Sequence, residues 1–232
     1  MATINENPRI GDVVLEEAAL GSYRYTRETV TLVSGTPASI IGQVLGKISI
    51  GGATAAAKTG GNTGNGTLVM DGTTPVLVNA QVGVYTVTCT AAGTNSATFR
   101  VVDPTGRVLG DVSFNGSGAS ATFSDEIKFT VTDGATDFIV GDGFTVTIAA
   151  GSGKYTQVNP AAVDGSAVAA AILLEAANAT SGDVSATALV RGPAILKDAG
   201  LAWTSGMTGT QQTTAKNQLI AAGMQIRSAL GY

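Results

Sequence analysis

Lys154-Tyr155-Thr156, Asp164-Gly165-Ser166, the run Ala167-Val168-Ala169-Ala170-Ala171-Ile172-Leu173 and the alternating segment Val184 to Val190, which ends in Arg191-Gly192-Pro193, follow one another before a closing helical pattern and Arg227. This succession reads as the second half of a small barrel whose first half lies upstream, before Lys58. Val184, Ala186, Ala188 and Val190 alternate with Ser185, Thr187, Leu189 and Arg191, a period-two strand whose small inward residues predict narrow packing. Thr208 with Gln211 three residues on predicts a capping box. Ala215, Leu219 and Ala222 recur at helical spacing, Gly223 suits the left-handed position after a helix, and Met224 to Arg227 predicts a short strand behind it.

Upstream, Val30-Thr31-Leu32-Val33, the turn Ser34-Gly35-Thr36-Pro37 and the segment Ile40 to Ile48, broken by Gly42 and Gly46, predict two or three short strands with a tight corner. Residues 1–24 carry Pro8, Gly11, Gly21 and the apolar patch Val13-Val14-Leu15 without a sustained period, so they read as an arm lacking a core of its own. Glu16-Glu17 within it reads as a solvated pair.

Between these halves the sequence changes character. Lys58-Thr-Gly-Gly-Asn-Thr-Gly-Asn-Gly66 and Gly151-Ser152-Gly153 read as paired junctions, because glycine and asparagine tolerate positive φ and resist regular structure. Thr67 to Met70, Val84 to Thr90, Ala97 to Val102, Val108 to Phe114, Ile127 to Thr132 and Phe144 to Ala149 predict strands separated by turns such as Asp103-Pro104-Thr105-Gly106. One apolar and one threonine-rich face on several of them argue for an immunoglobulin-like β-sandwich spliced into the barrel over residues 58–153. The expected fold is therefore mainly β with a small α part. Its discontinuous barrel spans residues 25–57 and 154–232, with one C-terminal helix.

Composition narrows the chemistry. In 232 residues there is no histidine, which removes the usual general base near neutral pH and the commonest metal ligand. A net charge of −4 with 13% charged residues disfavours a nucleic-acid partner. The single cysteine, Cys89, excludes an intrachain disulfide and reads as a buried strand residue. No charged n-region with an apolar h-region opens the sequence and no apolar run is long enough to span a bilayer, so a soluble product made in the cytoplasm is expected. Gly60 to Gly66 lacks the Gly-Lys-Ser/Thr ending of a phosphate loop. Ser166 has no histidine to activate it. Asp133, Asp137 and Asp142 read as turn residues, with a surface calcium site left open. No catalytic, cofactor-binding or metal-ligating residue is assigned, and no enzyme activity is expected.

In their order, the motifs from Lys154 onward, with Tyr25-Thr26-Arg27-Glu28 and Gly42-Gln43-Val44-Leu45-Gly46-Lys47, resemble the head decoration (capsid cement) proteins of lambda-like tailed phages. The resemblance implies a homotrimer on the outer surface of the expanded head, made in the bacterial host cytoplasm, whose partner is the major capsid protein. It further implies that the arm contacts the capsid through Ile4, Ile10, Val13, Val14, Leu15, Glu16, Glu17 and Arg24. Trp203, the only tryptophan, reads as packing under the last helix, with a trimer contact as the sharper option. The insert departs from the compact members of that family. It leaves open a weak contact with host-surface glycans or larger contacts between neighbouring trimers, and with the first the alternative of an adhesin or glycan-binding module on a tail or fibre.

Overall fold

The computed structural model describes residues 8–17 and 26–228. The chain divides into two compact units, one formed by residues up to 49 together with those from 153 on, the other by residues 50–152. The protein is mainly β, with a single α-helix among the described residues.

The first unit begins with strands β1 (Val14–Glu17), β2 (Arg27–Leu32), β3 (Thr36–Ser39) and β4 (Val44–Lys47). The second holds β5 (Ile50–Ala57), β6 (Thr67–Met70), β7 (Gly83–Gly93), β8 (Ser96–Val102), β9 (Val108–Asn115), β10 (Ser120–Ser124), β11 (Lys128–Thr132) and β12 (Gly143–Ala150). The chain then returns to the first unit with β13 (Tyr155–Gln157), β14 (Ala169–Leu173), β15 (Ala177–Ala179), β16 (Val184–Leu189), β17 (Ala194–Lys197), helix α1 (Gly209–Ala221) and β18 (Met224–Arg227).

In the first unit, β13, β2, β16, β14 and β4 hydrogen-bond in a ring that closes on itself. Alternation explains its interior: Val30 and Leu32 from β2, Leu45 from β4, Ala171 and Leu173 from β14, and Ala186 and Ala188 from β16 form one buried cluster. Alanine is used because the ring is narrow, and glycine where even alanine is too large. A Cβ on Gly46 would stand 2.0 Å from the Ser166 carbonyl oxygen. At Gly42, whose φ is +89°, a Cβ would lie 2.1 Å from the Gly200 carbonyl oxygen, so the position needs glycine on both counts. Asp164 makes the turn expected of it, accepting from the Ser166 backbone N–H at 2.9 Å and its hydroxyl at 2.6 Å.

A second cluster lies under α1, where Ala215 and Leu219 meet Val44, Ile172, Leu189, Leu196 and Leu201. The capping box is formed: Gln211 N–H donates to the Thr208 hydroxyl oxygen, and the Thr208 N–H donates to Gln211 Oε1. Gly223 follows the helix at φ +87°. The Ala169 N–H donates to Gln218 Oε1 at 2.8 Å, which ties β14 to the helix.

The second unit consists of a five-stranded sheet, β5-β12-β7-β8-β9, and a three-stranded sheet, β10-β11-β6. Their apolar residues share one core that includes every phenylalanine of the chain. Phe99 is its hub, with ring centroids of Phe138, Phe144 and Phe114 at 5.0, 6.1 and 6.4 Å. Cys89 is buried in the same core, and burial raises its thiol pKa, as an inert strand cysteine requires.

At one end of this unit Tyr85 donates to Glu126 Oε2 at 2.8 Å and accepts from the Gln81 N–H at 2.7 Å. Arg107 bridges Glu126 and Asp103. Desolvation, with Glu126 opposite, pushes the Tyr85 phenol up to about 12.

The junction expected at Lys58–Gly66 lies elsewhere. Residues 50–57 form β5 and pair with β12 from Ile50↔Ala150 to Ala57↔Phe144, so the second unit already begins at Ile50. The Gly/Asn run is a loop inside that unit. Thr63 and Gly64 N–H groups donate to Asp142 at 2.9 Å, and the Gly143 N–H donates to Asn62 Oδ1 at 2.8 Å. At the base of the first unit, the Gly153 N–H donates to the Ile48 carbonyl at 2.9 Å, so the chain leaves and re-enters side by side.

Candidate functional site

The segment from Pro8 to Glu17 supplies a candidate binding surface. It is not the coreless arm that its irregular sequence suggests. Val13 is 1% exposed and packs with Leu196, Leu201 and Leu219. Its carbonyl accepts from the Lys197 N–H at 2.8 Å. Beyond it, Val14 to Glu17 run antiparallel to β17, with Val14 opposite Leu196 and Glu17 opposite Ala194. Val14 also packs on the core, and Leu15 is half-buried.

The Glu16-Glu17 pair separates by the alternation of a strand. Glu16 is exposed, whereas Glu17 accepts from the Thr26 hydroxyl at 2.8 Å and from Arg27 Nε at 2.9 Å. The hydrogen bond and charge of Glu17 raise the Arg27 pKa against the opposing effect of burial. Glu17 is thus a structural partner and not the solvated residue expected. Arg9 and Asp12 close a 3-10 turn, in which the Arg9 N–H donates to Asp12 Oδ2 at 2.8 Å, and this turn presents Ile10 at 37% exposure. Ile4 and Arg24 lie outside the described residues.

β1 is an end strand of the sheet β1-β17-β18, so its outer edge pairs with no other described strand. Next to it, Glu16, Pro193, Ala194, Ile195, Gly223 and Gln225 line a shallow concavity of about 190 Å³. An open strand edge flanked by an apolar hollow with one carboxylate is suited to docking an extended segment: backbone groups supply the hydrogen bonds and the hollow takes a side chain. In the sequence Pro193 marks only the end of the alternating segment from Val184. The hollow needs β17 and β18 side by side, with Ala194 opposite Met224, which no local pattern announces.

Trp203 is half-buried against the cluster under α1, with Lys216 Nζ 6.0 Å from its ring centroid. Near this helix Val158, Pro160, Val168, Met207, Gln211 and Ala215 line a groove of about 250 Å³, and Val168 is 52% exposed.

The candidate chemistry of the second unit resolves into turn-holding. Burial of Asp142 pushes its pKa up, but donation from the Gly64, Thr63 and Ile139 N–H groups prevails and the net shift is downward. Asp137 accepts from the Asn95 N–H at 2.8 Å. The three aspartates do not form a common ligand set; among the described residues no three histidine, cysteine or acidic groups converge as metal ligands. Ser166 is 2% exposed and its hydroxyl is committed to Asp164, which leaves no nucleophile there.

The family model described as bacteriophage lambda head decoration protein D matches residues 3–224. No curated protein matches the chain. Among solved structures, two crystal forms of Xanthomonas campestris FlgL match at 21% and 22% identity, over 51% and 50% of this chain, each with a TM-score of 0.30. The matches cover only 34% and 33% of the FlgL chains, and a superposition this poor carries no argument about fold or function.

Proposed function

The chain belongs to the family of the bacteriophage lambda head decoration protein D, and on that premise we propose that it is a structural virion protein which binds the outer surface of the expanded head as a trimer. In this reading it holds the major capsid protein against the pressure of packed DNA. The observation that carries the reading is the continuity of the first unit. The family match runs from residue 3 to 224, and the strand ring takes β2 and β4 from before residue 50 and β13, β14 and β16 from after 152.

Cementing needs many modest contacts acting together, because each trimer bridges several capsid subunits and every bound site raises the effective concentration of the next. No catalytic group is required. The outer edge of β1, with Ile10 and Glu16, is the capsid-facing surface. Trp203 and the groove along α1 are the trimer contact. The 50–152 unit takes no part in head binding; its chain leaves and returns at adjacent points of the first unit, which lets it be carried without interrupting the ring.

Cosedimentation with undecorated, expanded heads tests this. The full chain is expected to bind saturably over the whole head surface, and a version lacking residues 1–9, which keeps Val13 and β1, to bind more weakly. Absence of binding by the full chain, or a few copies confined to the tail, would refute the cement role and favour an adhesin.

A further inference from the structure

Four loops meet at the end of the second unit opposite Ile50 and Ala150: residues 58–66, 94–95, 116–119 and 133–142. They are knitted by backbone and side-chain hydrogen bonds. The Asn95 N–H donates to Asp137 Oδ1, the Gly116 N–H to the Asn95 carbonyl, and the Thr136 N–H to Asn65 Oδ1, each at 2.8 Å. Asp133 sits among them at 7% exposure. Its own N–H donates to the Ala119 carbonyl at 2.8 Å, and its Oδ2 accepts from the Gly118 N–H at 3.3 Å, so the carboxylate faces the 116–119 turn.

Its other oxygen, Oδ1, is the one buried side-chain polar atom of the described residues without a hydrogen-bond partner. The comparison with Asp142 is telling, since that buried carboxylate takes three backbone N–H groups. A buried carboxylate oxygen left unpaired costs several kcal/mol. No cation among the described residues relieves it. Lys58, the one basic residue in these loops, donates to the Gly141 carbonyl at 2.6 Å and pairs with Asp142 at 3.4 Å.

A hard divalent cation is the partner that this chemistry selects, because such ions take carboxylate, backbone carbonyl and water oxygens and tolerate irregular geometry. Glycines at 116 and 118, with φ of +122° and +67°, turn the backbone of the facing loop in directions that other residues avoid. We propose that Asp133 anchors a calcium-class cation site at the 116–119 turn, completed by backbone carbonyls of the loops and by water. This differs from a three-aspartate cluster: Asp142 is fully committed elsewhere, and of the three only Asp133 has a buried oxygen without a partner. Occupancy would lock four loops of one unit, independently of what the first unit binds.

The test is a calorimetric titration of the full chain with calcium chloride at neutral pH and constant ionic strength. One saturable site per chain is expected, with a dissociation constant on the order of 10⁻⁴–10⁻³ M, the range of extracellular modules. Asp133→Asn, which removes the anchoring carboxylate, should weaken it at least about tenfold, no less than the loss when even an outer-shell partner is changed. Asp125→Asn, which removes the same charge from the exposed turn between β10 and β11, should bind like the unaltered chain. In the unaltered protein, calcium should also slow thiol labelling of Cys89, where added potassium chloride of equal ionic strength does not. No saturable heat up to about 10 mM calcium, well above that range, or equal losses in the two variants, would overturn the proposal.

Discussion

The two units solve the problem of a small β core by opposite means. The unit formed by residues 50–152 holds all six phenylalanines of the chain, with Phe114, Phe138 and Phe144 gathered around Phe99 and Phe123 stacked on Phe129. The ring-bearing unit has none, and fills its interior with Ala171, Ala179, Ala186 and Ala188 beside a few leucines and valines. Charge is divided just as unevenly: residues 50–152 have four basic against eight acidic side chains, whereas the rest of the chain has nine of each. The whole net charge therefore lies on one unit. Its four cations are each in an ion pair, Lys58 with Asp142, Arg100 with Asp111, Arg107 with Asp103 and Glu126, and Lys128 with Asp71. A module of this kind has no spare cation for a polyanionic surface, while the first unit, neutral overall, offers the open edge of β1. The difference argues for a division of labour between a binder and a passenger.

If the cores are independent, damage to one must leave the other intact, and the chain carries a probe for each: Trp203 fluorescence for the first unit and Cys89 thiol protection for the second. Phe99→Ala should cost about 3–5 kcal/mol in the denaturant transition seen by Cys89 and leave the Trp203 transition in place. Leu219→Ala should do the reverse, at about 2–5 kcal/mol. Coincident shifts of both probes in either variant would mean that the units unfold together.

Gly46→Ala sharpens the contrast from the first unit's side. Its Cβ collides with the Ser166 backbone, so the ring has to open locally, at about 1–3 kcal/mol in the Trp203 transition alone. Tyr85→Phe is the counterpart in the second unit. It leaves buried Glu126 with one donor fewer and should cost about 1–3 kcal/mol, read through Cys89. The smallest effect expected is for Thr208→Ala, which removes the helix cap, at about 1 kcal/mol.

Acid should separate the units as well. Hydrogen bonds from the Thr105 hydroxyl, and then from Arg107, hold the Asp103 carboxyl at about 2, against the opposing effect of desolvation. A pKa depressed in the folded state means stability that is present above the ordinary carboxylate range and is lost as pH falls toward 2. Between about pH 4 and 2 the Cys89 probe should therefore report weakening of the second unit. An acid-insensitive second unit would contradict the role given to the Asp103–Arg107–Glu126 network.

Where the sequence was legible, and where it was not, follows the same physics. The strands β7, β8, β9, β11 and β12 stand out because large apolar residues alternate with threonine, and α1 stands out because Thr208 and Gln211 cap it; β10, Ser120–Ser124, is not among the strands the sequence predicts. β5 is invisible to that reading: in Ile50-Gly-Gly-Ala-Thr-Ala-Ala-Ala57 the two faces hardly differ in hydrophobicity, so the more conspicuous glycine run at Lys58–Gly66 looks like the boundary. β1 is missed for another reason. Val14-Leu15-Glu16-Glu17 has no period of its own, and becomes a strand only because β17, at Ala194–Lys197, lies against it. The surface proposed to face the capsid inherits that difficulty, since its hollow joins Glu16 to residues from Pro193 to Gln225. The orphaned oxygen of Asp133 belongs to the same class: Asp133-Gly134 announces a turn, but only the fold reveals which of its oxygens lacks a donor.

The most direct test of the division between binder and passenger is to replace residues 50–152 by a short glycine-serine linker between Ser49 and Gly153, and to measure cosedimentation with expanded heads beside the full chain. The account predicts that the shortened chain retains its Trp203 unfolding transition and saturates heads at the same number of copies. A shortened chain that keeps this transition yet fails to bind heads would contradict it.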